Sequence, residues 1–242
     1  PSPLDLIPPK GINPRTGETI SFHADVREPL GALAFKVSSD PYVGRLVFIR
    51  VYSGQVKKGQ NVFNPRTGRR ERIGGLVRLK ANSRVEVDVL GAGDIGAVVG
   101  SKELTTGDTL CFENAKIELM RIPFPEPVIF MAVEPKTRAD REKLDAALSA
   151  MALEDPTCII RHDEETGQTI MSGMGELHLE ILKDRMIREY KVAANTGKPM
   201  VAYHETIMGK AEGEHTFDRE IGGKRQSASV SLCVEPLGRG LG

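Results

Sequence analysis

The feature that most constrains the fold is a proline-rich connector, Ile122-Pro-Phe-Pro-Glu-Pro127, at which the hydrophobic pattern changes. Before it, from Ala32 to about Phe112, short apolar runs are broken by glycine turns and show no helical period. Short strands at this spacing predict a small β-barrel or sandwich. After the connector, strand-like and helix-like segments alternate. A change of pattern across a stiff segment indicates two separate domains.

The segment after the connector has the order β-α-β-β-α-β within about 70 residues, which is the order of a ferredoxin-like α+β domain. Thr137 and Asp140 have the spacing of a capping box at the start of the first helix, and Asp155-Pro156 is expected to end it. Strands are predicted at 128–133, 158–161, 169–171 and 192–194, and helices at 137–154 and 176–190.

Apolar residues at helical spacing identify the predicted core faces of both helices. The first helix presents Leu144, Leu148 and Met151. In the second helix the predicted core residues are Leu179, Leu182, Met186 and Tyr190, with Leu177 and Ile181 widening the apolar stripe.

The predicted organisation has four parts: a linker at residues 1–30, the β-barrel at 31–121, the ferredoxin-like domain at 122–199 and an incomplete third α/β unit at 200–242. Many prolines and little periodicity mark the linker. In the third unit we predict a strand at 201–207 and a glycine turn at Gly222-Gly223. The alternating run Val230, Leu232 and Val234 has no later partner, so we expect a piece of a longer chain.

Overall composition gives no sign of a membrane or nucleic-acid protein. Lys plus Arg and Asp plus Glu both number 33, so the chain has no net field. Cys111, Cys158 and Cys233 form no CxxC pair, which favours neither a zinc site nor a disulfide framework. No apolar run approaches the roughly 18 residues that span a bilayer. We therefore expect a soluble, cytoplasmic protein.

One local exception to this neutrality is a basic run within the predicted barrel. It contains seven cations and one acid, Glu71, for a local net charge of +6. Clustered guanidinium groups on a sheet edge suit phosphate contacts, but charge on an exposed edge also prevents aggregation of sheets. Both interpretations stay open on the residues alone. The cations are Arg66, Arg69, Arg70, Arg72, Arg78, Lys80 and Arg84.

A second candidate site is the elbow between the third strand and second helix of the ferredoxin-like domain, Gly173 to His178, which follows a turn at Thr166-Gly167. Glycines here are expected to adopt backbone angles closed to other residues and to let another chain approach closely. His178 invites a metal or acid–base role, but one histidine on a helix lacks the spacing of a zinc site. We expect the polar face of this helix to contact a partner.

Catalytic motifs are absent from the sequence. There is no GxxxxGK[ST] phosphate-binding loop, and Asp88-Val-Leu-Gly91 matches the short DxxG pattern only by chance. No catalytic residue and no metal ligand is predicted.

Taken together, these pieces resemble the translational GTPases of the elongation factor G type. The matching segments, nearly continuous from Ala34 to Ile207, are Ala34-Phe-Lys-Val37, Asp40-Pro-Tyr-Val-Gly-Arg45, Phe48-Ile-Arg-Val-Tyr-Ser-Gly54, Gly93-Asp-Ile95, Thr106-Gly-Asp-Thr-Leu110, Pro125-Glu-Pro127, Val133-Glu-Pro-Lys-Thr137, Glu154-Asp-Pro156, Asp163 to Glu180 and Gly197-Lys-Pro199.

The resemblance implies domain II, domain III and the start of domain IV of a protein that uses GTP to move tRNA and mRNA on the ribosome. It implies that the barrel contacts small-subunit rRNA, which favours the phosphate interpretation of the basic run, and that the small subunit's rRNA and protein are partners. GTP and Mg are expected in a missing GTPase domain, with no cofactor in this chain, which should not hydrolyse GTP alone. A monomer is expected. The positions that match the GTPase-domain interface are Gly173, Met174, Gly175, Glu176, Leu177 and His178, with a relay role for His178.

One departure keeps alternatives open. Relatives carry an aromatic residue in the turn after Gly-Gly-Arg-Gly-Gln, whereas this chain has Gly222-Gly-Lys-Arg-Gln-Ser227. A divergent paralogue that recycles or protects ribosomes is therefore an alternative. A second is a stand-alone RNA- or ribosome-binding module without a nucleotide.

Overall fold

The computed structural model describes residues 3–40, 43–81, 83–101 and 103–238. The chain divides into two compact units, Pro1–Met200 and Val201–Gly242. Pro41 and Tyr42 of the Asp40 to Arg45 match lie outside the described residues, as do the last four residues, 239–242. Among the described residues, no helix is long and apolar enough to cross a membrane.

The first thirty residues contain more structure than the predicted linker accounts for. After a short 3-10 turn at Pro3–Asp5, strands β1 (Lys10–Ile12) and β2 (Thr19–Ser21) pair with each other. The other edge of β1 pairs with β13 (Glu118–Leu119), just before the connector. The small sheet packs through Phe22, which is buried with residues of the barrel and the connector. The segment therefore lies against the barrel.

The barrel itself is an antiparallel eight-stranded sheet with the order β7-β6-β12-β3-β4-β11-β8-β9, together with a separate β10–β5 pair. Its interior is filled by aliphatic side chains, among them Leu30, Ile49, Ile73 and Leu110. Glycine turns separate the strands as predicted; at Gly54, φ is +68° and a Cβ would lie 2.6 Å from the Glu28 carbonyl oxygen. The strands are β3 (Gly31–Asp40), β4 (Gly44–Ser53), β5 (Gln55–Lys57), β6 (Asn61–Asn64), β7 (Arg69–Arg72), β8 (Gly75–Lys80), β9 (Ser83–Glu86), β10 (Val89–Gly91), β11 (Ile95–Val99) and β12 (Thr109–Cys111).

The predicted ferredoxin-like domain is confirmed. Its four strands form one antiparallel sheet with the order β15-β16-β14-β17, and both helices pack on it. The order along the chain is β14 (Ile129–Pro135), α1 (Arg141–Glu154), β15 (Ile159–His162), β16 (Thr169–Gly173), α2 (Glu176–Arg188) and β17 (Ala194–Gly197).

Helix faces follow the prediction in α1 and depart from it in α2. Leu144, Leu148 and Met151 are buried in α1, as are Leu179, Leu182 and Met186 in α2. The prediction that Leu177 and Ile181 widen the core stripe is wrong, because their exposed fractions are 69% and 50%. At about 100° per residue these two side chains lie roughly 160° around the helix from Leu179, toward solvent.

The second unit is a β-hairpin of β18 (Ala211–Ile221) and β19 (Lys224–Val234), joined by Gly222 and Gly223 at φ of +64° and +76°. Positive φ at both central residues matches the twist of a two-residue hairpin turn. The strand predicted at 201–207 is wrong, since that segment is irregular. The run ending at Val234 does have a partner, β18, which precedes it. In the described part of this unit, the regular elements are these two strands, and the helix expected of an α/β unit is absent.

Candidate functional site

The elbow joins the end of β16 to the start of α2. Gly173 is the last residue of β16 and pairs with Ile129 of β14, so its backbone position is fixed by the central strand of the sheet. Gly175 precedes the first helical residue, Glu176, with φ of −179° and ψ of 168°. Acidic Glu176 then lies in the first turn of α2, where negative charge is favoured.

The predicted reason for the elbow glycines is wrong, and a different reason applies to Gly173 alone. Neither has a positive φ, so the expectation of backbone angles closed to other residues is wrong at both. A Cβ on Gly173 would lie 2.8 Å from Leu179 Cδ2 and 3.2 Å from His178 Nδ1. The close approach at Gly173 therefore comes from α2 of this chain. A Cβ on Gly175 would meet no atom within 4 Å.

His178 is held in one orientation because each of its ring nitrogens makes a hydrogen bond, one as acceptor and one as donor. The backbone N–H of Met174 donates to Nδ1 at 3.1 Å. An accepting Nδ1 carries no proton, so we assign the proton to Nε2, which donates to Asp155 Oδ2 at 2.9 Å. The ring therefore ties the elbow to Asp155, the residue that follows α1.

Asp155 is the fixed acceptor of this contact. Burial raises its pKa, but hydrogen bonds from the side chain and backbone of Thr157 and the neighbouring His178 outweigh burial and bring the pKa below its usual value. Thr157 donates to Asp155 Oδ1 from its backbone nitrogen at 2.8 Å and its hydroxyl at 2.6 Å. The described residues contain no group of three or more His, Cys, Asp or Glu side chains that could hold a metal ion.

Exposed apolar side chains adjoin this polar link. Leu177 and Ile181 lie one helical turn apart on the outer surface of α2. The face predicted to contact a partner was polar, whereas these two exposed side chains are apolar. The signal in the sequence that distinguishes them from core residues was their position on the side of the helix opposite Leu179. An apolar strip next to a rigid polar link suits contact with another protein surface.

The seven cations of the basic run do not form one continuous surface in the sheet. Arg69, Arg70 and Arg72 lie on β7, with Arg66 just before it, at one end of the strand order. Arg78, Lys80 and Arg84 lie on β8 and β9 at the other end. The predicted sheet edge holds for the arginines on β7 and for Arg84 on β9, which are the two edge strands, but it is wrong for Arg78 and Lys80, because β8 lies between β11 and β9.

Acids distant in sequence neutralise five of these seven cations. Arg66 pairs with Asp108, Arg69 with Glu103, Arg70 with Glu113, Arg78 with Asp94 and Arg84 with Asp40. Among the described residues, Arg72 and Lys80 make no ion pair. The local charge of +6 counted along the sequence is therefore much smaller in the folded barrel.

Arg66 differs from the other paired arginines because its partner is buried. The Asp108 side chain is 1% exposed and also accepts from Asn64 Nδ2 at 2.9 Å and from the Thr105 backbone at 2.9 Å. Burial raises the pKa of Asp108, but these bonds, led by the one from Arg66, lower it below its usual value. Arg66 therefore supports the barrel in addition to any contact it makes.

Comparisons with known proteins divide the chain at the same connector. Residues 44–111 match the family model described as Elongation factor Tu domain 2, and residues 124–198 match Elongation Factor G, domain III. All 242 residues align at 54% identity with elongation factor G of Chlamydia trachomatis serovar D and at 50% with that of Dehalococcoides mccartyi. The chain belongs to the elongation factor G family. It spans 35% of the length of these two relatives.

The structural comparison agrees with this membership. A crystal structure of a protein from Thermus thermophilus superposes with a TM-score of 0.72 at 31% sequence identity. That alignment covers 98% of this chain and 33% of the other. Within the elongation factor G family, the domain III match contains the whole elbow, His178 and Asp155, and the domain 2 match contains all seven cations.

Proposed function

We propose that this chain is the ribosome-contacting middle part of an elongation factor G-like GTPase that promotes GTP-dependent movement of tRNA and mRNA. The relatives named elongation factor G and the two domain matches support this proposal. The sequence has no phosphate-binding loop, so no step at the nucleotide is assigned to residues of this chain.

The observation that carries the proposal is the elbow of the domain III match. It combines a hydrogen-bonded His178, a tightly packed Gly173 and the exposed apolar pair Leu177 and Ile181. The hydrogen bonds fix the position of the elbow, and its exposed side is apolar. Such a surface suits contact with a protein partner whose movement the elbow would transmit. The proposed partner for this surface is the GTPase domain of the parent protein, with GTP and Mg bound in that domain.

Arg72 and Lys80 are the cations that we propose for phosphate contact, because the other five pair with acids within the barrel. The proposed partner is small-subunit rRNA. The proposed location is the cytoplasm, and the proposed state of the chain is a monomer. Exposed arginines such as Arg69 and Arg70 can exchange their carboxylates for phosphates with little loss of stability, since exposed ion pairs contribute little.

Co-sedimentation of the chain with ribosomes over a series of salt concentrations tests this proposal. We expect salt-dependent binding, and Arg72→Gln with Lys80→Gln should weaken it and reduce the salt slope by about 2. The matched control is Lys10→Gln with Lys36→Gln, which removes two exposed lysines outside the basic run. Equal slopes for both double variants would reject the phosphate role, and absence of ribosome binding by the unaltered chain would reject ribosome contact.

The alternative of a recycling or protection paralogue is motivated by Lys224 and Arg225, which follow the Gly222-Gly223 turn of the hairpin; Arg225 pairs with Asp218. Ribosome co-sedimentation does not distinguish it from a translocase, but a translocation assay with the parent protein does. Movement of tRNA and mRNA supports the first proposal, whereas subunit splitting or drug release without movement supports the paralogue.

A further inference from the structure

The end of helix α1 places two adjacent carboxylates between the barrel and the elbow. Glu154 is the last residue of α1, and Asp155 follows it with its backbone N–H donating to the Met151 carbonyl. Although the two residues are neighbours, their side chains bind different parts of the molecule. This arrangement is independent of the exposed residues proposed above for partner contact.

Glu154 faces the barrel. Its Oε1 accepts the backbone N–H of Ser39, on β3, at 2.6 Å. Its Oε2 accepts from Arg185 of α2 at 2.6 Å, and the side chain is only 11% exposed. One carboxylate therefore joins β3, α1 and α2.

Arg185 has a second partner, which lies outside this joint. It donates to Glu189, the residue that follows α2, at 3.0 to 3.2 Å. Burial raises the pKa of Glu154, but the bonds from Arg185 and Ser39 bring it below its usual value, so Glu154 stays ionised. Charge-assisted bonds of this kind are stronger than neutral ones.

Asp155 faces the elbow, through its contact with His178 Nε2. His178 in turn accepts from the Met174 backbone, so a shift of the elbow moves the ring and its acceptor. Because Asp155 is bonded to Glu154 through one peptide unit, a displacement at Asp155 acts directly on the barrel joint. A chain of packed and hydrogen-bonded groups is the physical route by which two sites are coupled.

We propose that the last turn of α1 couples the elbow to the barrel, with Glu154 as the positioning residue at the barrel and Asp155 at the elbow. A contact at the elbow then changes the orientation of the barrel relative to the ferredoxin-like domain. The elbow as a partner surface rests on the proposed function, whereas the coupling is tested in the chain alone, so the two can fail separately.

Amide hydrogen exchange at Ser39, measured by NMR on the full chain, tests the barrel side. Glu154→Ala should speed exchange at Ser39 about tenfold or more, because a hydrogen bond to a charged acceptor is lost. Glu189→Ala is the matched control, since it also removes a carboxylate from Arg185 but has no bond to the barrel; it should leave Ser39 unchanged. Unchanged exchange in Glu154→Ala, or equal acceleration in both variants, overturns the proposal. Should Glu154→Ala fail to fold, Glu154→Leu replaces it, since leucine has a larger apolar side chain and no acceptor for the Ser39 N–H.

The distance between the two domains is a second measurement, and a local loss of stability should leave it unchanged. Nitroxide labels at Lys57→Cys and Lys143→Cys, with Cys233→Ser, report the distance between the barrel and α1. Glu154→Ala should broaden this distance distribution and leave that of a pair within the barrel, Lys57→Cys and Ser83→Cys, as it was. If Glu154→Ala does not broaden the distribution of inter-domain distances, Glu154 is not a positioning residue.

Coupling to the elbow is tested from the other end. His178→Ala removes the contact with Asp155 and should speed exchange at Ser39 about fivefold, the lower range of coupling between linked sites. Glu180→Ala, on the next exposed position of α2, should not change it. If His178→Ala leaves Ser39 exchange at the unaltered rate, the elbow and the barrel are not coupled through α1.

Discussion

Gly173 occupies a position where the space for a methyl group is already filled. Leu179 Cδ2 and His178 Nδ1 lie within 3.2 Å of the site of a Cβ. Leu179 is part of the core of the ferredoxin-like domain, so it cannot move away freely. The residue two positions later, Gly175, has open space around the same point.

Gly173→Ala should lower the free energy of unfolding by about 1–3 kcal/mol, since overpacking forces side chains and backbone to shift. Urea denaturation monitored by circular dichroism measures the change. Gly175→Ala is the control and should stay within about 0.5 kcal/mol of the unaltered chain. Equal effects at the two positions would show that the close contact at Gly173 is not the cause.

Arg66→Gln should destabilise the barrel by roughly 1–3 kcal/mol, because it leaves the buried Asp108 carboxylate without its charged partner. Arg69→Gln breaks an exposed pair with Glu103 and should change stability by no more than about 0.5 kcal/mol. Thermal unfolding of both variants makes the comparison. A larger loss in Arg69→Gln would contradict the distinction between the two arginines.

Single residues are where prediction from the sequence failed most. The composition of the basic run was correct, but its acidic partners lie elsewhere in the sequence, and only the barrel brings them together. For the same reason the bond between His178 and Asp155 was not predicted, although both residues lay in segments that the family resemblance had identified. Ion pairs between distant segments leave no periodic signal.

Helix α2 has two apolar faces with different roles at the scale of the element. Leu182 is buried in the core, whereas Leu177 and Ile181 are exposed. Leu182→Ala should cost about 2–5 kcal/mol. Leu177→Ser with Ile181→Ser should leave the free energy of unfolding within about 0.5 kcal/mol of its original value.

The same double variant should weaken binding to the proposed partner, the GTPase domain of the parent protein, at least tenfold, as measured by NMR titration. These two side chains become buried only in the complex, so replacing them reduces the apolar area that binding buries. If the variant is destabilised but binds normally, these side chains belong to the core of the domain and not to the contact surface.

The end of α1 should make stability depend on pH. Glu154 and Asp155 have pKa values lowered from 4.5 and 3.8 in the folded chain. Their contribution to stability is present above the unfolded values and is lost as the pH falls through the lower, folded values. Glu154→Gln with Asp155→Asn should therefore destabilise the chain at pH 7 by about 1–3 kcal/mol.

Urea denaturation at a series of pH values measures this difference, which should shrink as the pH falls below 3.8. The control is Glu126→Gln with Glu164→Gln, two exposed carboxylates away from the joint, which should give a small difference at every pH. A deficit that persists unchanged in acid would contradict the electrostatic origin.

Elements were predicted better than their ends. Periods of two and of three to four residues identified every strand and helix of the ferredoxin-like domain, but β16 extends to Gly173 and α2 ends at Arg188. The predicted strand at 201–207 failed because alternation of apolar residues gives no information about a pairing partner. The amphipathic pattern of each element is local and was therefore predictable. The pairing and register of strands depend on the rest of the chain.

At the scale of the whole molecule, the division into two compact units has a direct test. Residues up to Met200 contain both buried cores, whereas the described residues of Val201–Gly242 are exposed throughout. A chain that ends at Met200 should keep its midpoint of thermal unfolding within about 2 °C. A peptide of 201–242 should be unfolded by circular dichroism, since an isolated hairpin is marginal in water. A lower midpoint for the shortened chain would contradict the division.

The hairpin pairs eleven residues of β18 with eleven of β19 without a bulge. Alternation gives one face Phe217, Val230, Leu232 and Val234, and the opposite face acids and serines. Adding or deleting one residue in β19 would exchange the two faces beyond that point, while a change of two would restore them. Over evolutionary time, this strand should accept length changes in even steps and reject odd ones.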